Sequence, residues 1–507
     1  MSDARLKARA TFVGRGFSRA AAFAFLLALS ACHASLPAPP APPALPALPA
    51  LAKDIDAIVA DPALSRGYWG VVIKSLKSDE TLYSLNPRKL MLPASNMKIV
   101  TLAAAAERLG WNYTYDTRVF GTGPIANGIL NGDLLVVGSG DPSIGTIDSM
   151  SDRLFADWAE RLKNAGIRTI AGRVIGDDNA FDDAELGFGW SWDDLQDEYA
   201  AGISALQFNE NMAGVTVGPG PAAGTSAAVS VAPAYSGLAI DSTVTTVAAG
   251  VTASISVSRL PGSSTLALRG SVALGSAPRA LTVSVDNPTL FFVNSLRAAL
   301  IANGVDVRGP AIDVDDLPAA PARPATPLIA YTSPPLSVLA MRLMKISQNQ
   351  YAETFLKTMG AALGTPTAAA GRAAVQTTLQ AWGVQPADLI QRDGSGLSRY
   401  DYVTAEALAT ILVHIDRDDR LRGPFEASLP IAGSEGLTNR MRGTPAEGNA
   451  RAKTGSMTSV RGLSGYVTTA GGEPLVFSIL ANNFDVPPAT ITQTMDKIVV
   501  RLAQFTR

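Results

Sequence analysis

Apolar and polar positions change rhythm several times along the chain. Residues 54–60 put Ile55, Ile58 and Val59 on one helical face. Residues 68–75 and 81–85 read as two strands around a Lys77-Ser78-Asp79-Glu80 turn. Pro93 then opens a long helical run over 94–109, which Gly110 stops. Toward the other end, residues 334–346 and 350–363 carry helical spacing on either side of a polar break, Ser347-Gln348-Asn349. Residues 405–415 form an apolar helix. Residues 451–456, 462–469 and 474–482 read as strands, the last two joined at Gly471-Gly472, and an amphipathic helix follows over 491–505. A hairpin near one end and three strands near the other are most economically one antiparallel sheet with helices against it, an α/β (α+β) fold.

The middle has a different pattern. Residues 214–285 are rich in Gly, Ala, Ser, Thr and Val, with alternation over 251–257 and 266–272 that predicts short strands and turns. The stretch from Lys98 to Ser347 is far longer than one helical layer needs. We therefore expect two nested, β-rich inserted domains: an outer one over 115–213 and 286–325, and an inner one over 214–285. The main domain would comprise 51–114 and 326–507.

The first fifty residues have no globular pattern. Arg5, Lys7, Arg9, Arg15 and Arg19 precede an apolar run, 20–29, too short for a membrane helix. It ends in Leu29-Ser30-Ala31-Cys32, which resembles a bacterial lipobox, so residues 1–32 are expected to be an export signal with Cys32 lipidated. The alternative is cleavage at a nearby small residue, with Cys32 incidental. Residues 33–50 would be a tether. Almost pure Pro, Ala and Leu from 36 to 50 favours polyproline II, reaching roughly 45 Å at ~3.1 Å per residue. Export to the periplasm, with membrane contact only through that anchor, is the resulting expectation.

Composition narrows the chemistry. The 507 residues are 47% hydrophobic and 17% charged with net charge −2, so no basic excess marks a nucleic-acid surface. One cysteine excludes an internal disulfide, and with only two histidines it excludes a Cys/His zinc cluster. No phosphate-loop, dinucleotide or G-x-S-x-G motif occurs. No cofactor or metal is expected.

Three motifs remain: Ser95-Asn96-Met97-Lys98, Ser347-Gln348-Asn349 and Lys453-Thr454-Gly455. They match, in order, the S-x-x-K, S-x-N and K-T-G set of serine enzymes that attack D-alanyl peptides or β-lactams. Alone, S-x-x-K is as readily a capping serine and a surface lysine; the order of the three changes that. His33 lies at the edge of the export segment, so a nucleophilic Ser95 must find its base among lysines or carboxylates. Lys98 is three residues on and shares its face. Burial and a nearby cation, which Lys453 would supply, would lower its proton affinity. Ser347 would relay a proton to the leaving amine and Asn349 would hold the substrate amide, although both residues could merely cap a helix. Lys453 and Thr454 would bind a carboxylate, and Gly455 would let substrate lie along the strand. The N–H groups of Ser95 and Ser456 would form the oxyanion hole. Asp193, Asp194, Asp197 and Glu198 read as a solvated face that could also attract a cationic group. His414 reads as structural.

With Gly138-Ser139-Gly140-Asp141-Pro142, Trp192-Asp193-Asp194, Phe208-Asn209-Glu210-Asn211, the 393–399 run and Leu429-Pro430 to Gly436-Leu437, the chain resembles the class C low-molecular-mass penicillin-binding proteins over residues 55–507. That resemblance implies D-Ala-D-Ala carboxypeptidase and DD-endopeptidase action on peptidoglycan stem peptides and cross-links, two domains inserted between the first two motifs, and inhibition by β-lactams. It implies contact between Asp193 or Asp194 and a diaminopimelate amine. A β-lactamase and a non-catalytic wall-binding or β-lactam-sensing protein are the rival readings.

Overall fold

The computed structural model describes residues 47–145 and 151–507. The export segment, Cys32 and all of the tether before 47 lie outside the described residues. Among the described residues no helix is long and apolar enough to cross a membrane.

A seven-stranded sheet runs in the order Thr81–Leu85, Tyr68–Ser75, Pro474–Asn482, Val460–Thr468, Arg451–Met457, Ile431–Ala432, Gly436–Leu437. It is antiparallel up to its last, parallel pair. The two ends of the chain meet in it, from Tyr68 opposite Asn482 to Ser75 opposite Leu475. Consecutive residues of Tyr68–Ser75 point to opposite faces, and both faces are covered. Val71 and Ile73 pack with Leu51, Ile55, Ile498 and Leu502 of helices Ala47–Val59 and Pro488–Ala503, while Val72 packs on Ala405 and Ala409 of helix Ala405–Arg417. The expected single sheet with flanking helices is therefore present.

One expectation is corrected here. The first helix begins at Ala47, not 54, so residues 47–50 are helical rather than extended. Pro49 sits in the first turn, where its missing N–H costs nothing, and Leu51 and Ile55 one turn apart are fully buried.

The inserted material forms further sheets. The outermost runs Ala311–Asp313, Val174–Asp177, Leu134–Gly138, Asp116–Gly121, Ile329–Thr332. Helices Ser151–Asn164 and Pro288–Ala302, neither anticipated from the pattern, pack against this layer through Phe155, Trp158, Phe291 and Phe292. Inner strands include Met212–Gly218, flanked by Ala228–Ala232 and Arg279–Ser284, and Thr265–Ala273, which covers the expected 266–272; the segment expected at 251–257 is paired at Ile255–Arg259. The chain leaves and re-enters the main sheet's layer at one point. Tyr331 lies opposite Thr117, and Tyr115 and Ser333 exchange two hydrogen bonds of 2.9 Å. The return thus lies beyond 332 rather than at 326, because Ile329–Thr332 belongs to the inserted sheet.

Candidate active site

Ser95 lies in a 3₁₀ turn, Ala94–Asn96, that leads into helix Met97–Leu109. Every residue from Met97 to Ala106 is buried, and four consecutive alanines allow close packing all round. The turn is wedged against strand Arg451–Met457: a Cβ on Gly455 would meet Pro93 O at 2.5 Å and Asn96 Nδ2 at 2.7 Å. Gly455 thus leaves room for the turn that carries Ser95.

Lys98 is fully buried. Its Nζ donates to Ser95 Oγ at 2.9 Å, to Asn349 Oδ1 at 2.5 Å and to Ser395 O at 3.0 Å. Burial lowers its pKa to about 7, while Asp393 and then Glu353 act to raise it. Desolvation disfavours the ammonium, and that alone brings an amine into the range of a general base at neutral pH. Burial is the leading cause of the drop at Lys98. Lys453, also fully buried, is itself drawn well below the usual lysine range, by burial first and by Lys98 second.

Lys453 Nζ donates to Ser347 Oγ at 2.9 Å and to Thr454 O at 3.0 Å. Ser347 has left-handed backbone, φ 68°, between a π-helical turn, Arg342–Ile346, and helix Asn349–Ala362. The cap of that helix is Gln348, whose side chain accepts from Gln350 N. This leaves Ser347 and Asn349 to point elsewhere. Both ends of the Asn349 amide are engaged, Oδ1 by Lys98 and Nδ2 with Tyr199 O at 2.7 Å.

A cleft of about 430 Å³ joins Ser95, Ser347, Asn349, Thr454 and Ser456 with Asp194, Tyr199, Gly396, Leu397, Arg399, Met457 and Thr458. The three motifs thus converge. Of the acidic stretch, Asp194 lines the cleft and accepts from Tyr199 OH at 2.9 Å, whereas Asp193 is solvent-exposed and held by Ser191, whose hydrogen bond lowers its pKa. Tyr199, Arg399 and Met457 were not anticipated. A larger hollow of about 630 Å³, lined by Tyr113, Arg118 and Arg323 among others, holds none of the motif residues. His414 stacks on Trp382 at 4.0 Å, away from the cleft residues, as a structural residue would.

Residues 51–505 match the D-Ala-D-Ala carboxypeptidase 3 (S13) family. The chain belongs to that family. It is 37% identical over 469 residues to the D-alanyl-D-alanine carboxypeptidase of Actinomadura sp. (strain R39), covering 90% of this chain and 85% of that one. The crystal structure of penicillin binding protein 4 (dacB) from Haemophilus influenzae superposes with a TM-score of 0.78 at 25% identity, covering 90% of this chain and 99% of that one. The same protein complexed with a β-lactam gives a TM-score of 0.73 at 24% identity, over 90% and 99% of the two chains. As an S13 member the chain is a serine peptidase of the D-Ala-D-Ala carboxypeptidase kind, with the penicillin-binding fold.

Proposed function

We propose that Ser95 is the acylated nucleophile and Lys98 its base. The observation that carries this is the pair of contacts from the fully buried Lys98 Nζ, to Ser95 Oγ at 2.9 Å and to Asn349 at 2.5 Å. Ser95 Oγ attacks the penultimate D-Ala carbonyl and its proton passes to Lys98. The N–H groups of Ser95 and Ser456 take up the oxyanion. Ser347, hydrogen-bonded to Lys453, relays the proton taken up by Lys98 to the leaving amine as the C–N bond breaks; water then attacks the ester, giving its proton to the neutral Lys98, which returns it to Ser95 Oγ as the acid leaves. Asn349 holds Lys98 in line and presents its remaining lone pair to the substrate amide. Lys453 and the Thr454 hydroxyl receive the substrate carboxylate, which restores the ammonium that burial disfavours.

A cross-link presents a comparable carboxylate beside its scissile bond, so we extend the activity to DD-endopeptidase cleavage of peptidoglycan, and to inhibition by β-lactams as acylating analogues. Asp194 and Arg399, of opposite charge and both lining the cleft, suit the amine and carboxylate of a diaminopimelate side chain. A β-lactamase needs fast deacylation of the ester; among the described cleft-lining residues the only carboxylate that could drive a water is Asp194, which Tyr199 engages. The basic start and the Leu29-Ser30-Ala31-Cys32 run support export to the periplasm with a lipid on Cys32; mature protein lacking a diacylglyceryl mass would rule the lipid out.

The test is mass spectrometry of muropeptides with labelling by fluorescent penicillin. Wild-type protein should remove terminal D-Ala, split cross-linked dimers and take up label; Ser95→Ala should do none of these. Undiminished labelling of the mutant would overturn the assignment of Ser95.

A further inference from the structure

Beside Lys98, two carboxylates hold a tight turn that packs against the turn carrying Ser95. Glu353 is 5% exposed and Asp393 1%. Glu353 stands four residues after Asn349 on helix Asn349–Ala362, so both reach out from one face. Its Oε2 accepts from Gly394 N and its Oε1 from Ser395 N, each at 2.8 Å. Asp393 accepts from Gly396 N and Ser398 N, each at 2.7 Å, and from Trp190 Nε1 at 2.9 Å. The carbonyl of that same Ser395 is the third acceptor of Lys98 Nζ, at 3.0 Å.

The turn has no room to shift. A Cβ on Gly394 would meet Ala352 O at 2.5 Å, and one on Gly396, whose φ is +83°, would meet Ala94 O at 1.9 Å. It is clamped between the helix that carries Glu353 and the turn that carries Ser95. Glu353 therefore touches residue 395 on its N–H while Lys98 touches it on its C=O.

We propose that Glu353 is a positioning residue for Lys98: its carboxylate fixes the 394–395 turn and is the anion against which Lys98 accepts the Ser95 proton. This rests on the reading of Lys98 as base and extends it. An acceptor bond to each oxygen is the pattern of an ionised carboxylate, which has no proton to place. Burial first and Asp393 second work against that charge and raise the group, while Ser395 and the two amides, one on each oxygen, pull it back and hold the ionised form. The other charged groups facing this pocket are Asp401, raised well above the usual range by burial and Asp393, and Lys453 beyond Lys98. Lys357, one turn further along the helix, is paired with Asp182 at 2.6 Å. Glu353 and Lys98 thus meet at residue 395, one on its N–H and the other on its C=O, and Asp393 acts on both.

The experiment is the pH profile of the second-order rate constant for penicillin acylation, in full-length protein. Acylation needs the neutral amine, so it rises with pH as Lys98 loses its proton. Removing the anion by Glu353→Gln should weaken the hold of Lys98 on that proton. The rising limb should move to lower pH by about one unit, with the plateau falling roughly three- to tenfold because the base is weaker. Glu353→Asp keeps the charge but withdraws it from the turn, so the limb should move the same way by less; this variant also serves if Glu353→Gln does not fold. Asp401→Asn should leave the limb in place, since Asp401 bonds the Arg392 and Asp393 amides rather than residue 395 or Lys98. A limb unmoved in both Glu353 variants, with only the amplitude lower, would make Glu353 a mere holder of the turn and overturn the proposal. So would an equal shift in Asp401→Asn, which would report general loosening. Lys98→Arg separates the two levels: normal acylation by it overturns the base assignment and the proposal together, whereas an inactive Lys98→Arg beside an unmoved Glu353→Gln overturns the proposal alone.

Discussion

On the floor of the cleft, Lys98, Lys453 and Asn349 are almost entirely out of water and bound to one another's neighbours by hydrogen bonds of 2.5–3.0 Å. On the rim, Arg399, Tyr199 and Thr458 are exposed and Asp194 half-buried. The same kinds of charged group therefore act in two different media. A charge on the floor is strong, unscreened and costly to misplace. A charge on the rim is softened by water and salt within a Debye length of about 8–10 Å. Chemistry is assigned to the first and the choice of substrate side chain to the second.

The largest expected effect tests the floor. Lys98→Arg keeps a cation but cannot give up its proton, so acylation by fluorescent penicillin should fall by roughly 10²-fold or more. In wild-type protein the same rate should climb with pH through about 7, where Lys98 loses its proton, and drop on the acid side as the ammonium forms. Near-normal acylation by the arginine variant, or a rate that falls with rising pH across that window, would remove Lys98 as base.

A smaller effect lies at the floor's edge. Lys453→Met should cost a charge-assisted contact of about 1.5–3 kcal/mol, or roughly ten- to a hundredfold in kcat/KM, on a D-Ala-D-Ala peptide. On the same peptide with its carboxylate amidated the loss should be much smaller. Equal proportional losses on both forms would show that Lys453 does not anchor the carboxylate.

The smallest effect belongs to the rim. Asp194→Asn should cost about 0.2–1 kcal/mol, less than about sixfold, on a peptide carrying a side-chain amine. The loss should shrink as salt is raised and vanish on a peptide with a neutral side chain. A large loss indifferent to salt would place Asp194 in the dry part of the site and break the contrast between the two regions.

That contrast also explains what could be read from residues alone. The floor was legible because each of its members is assigned a step that few side chains can perform, and the three short motifs carry them in order. The main sheet was legible for a related reason: Tyr68–Ser75 and Pro474–Asn482 combine β-branched and aromatic residues between clear turns. The rim was not legible. Tyr199, Arg399 and Met457 are ordinary residues whose place depends on how three distant segments pack, and Asp193 and Asp194 are neighbours that only the backbone separates into solvent and cleft. Helix Pro288–Ala302 was missed because apolar residues cover nearly all its faces, leaving little amphipathic period. Helix Ser151–Asn164 has helical spacing at 155, 158, 159 and 162, but lay inside an insertion expected to be β-rich. Glu353 and Asp393 carried no local signal of their role, since their partners are backbone amides that any sequence supplies.

The hydrogen-bonded junction of Tyr115 with Ser333 bears on how such a site can assemble at all. The floor joins Lys98 to Asn349 across a very long stretch of chain, and closing a loop costs entropy that grows with its length. Pairing of Asp116–Gly121 with Ile329–Thr332 brings the two flanks side by side. Once that pair has formed, the whole excursion between them counts, for the flanking chain, as little more than a hairpin bend. The effective contact order of the catalytic residues is then far lower than their numbering implies, and with it the kinetic penalty for bringing them together.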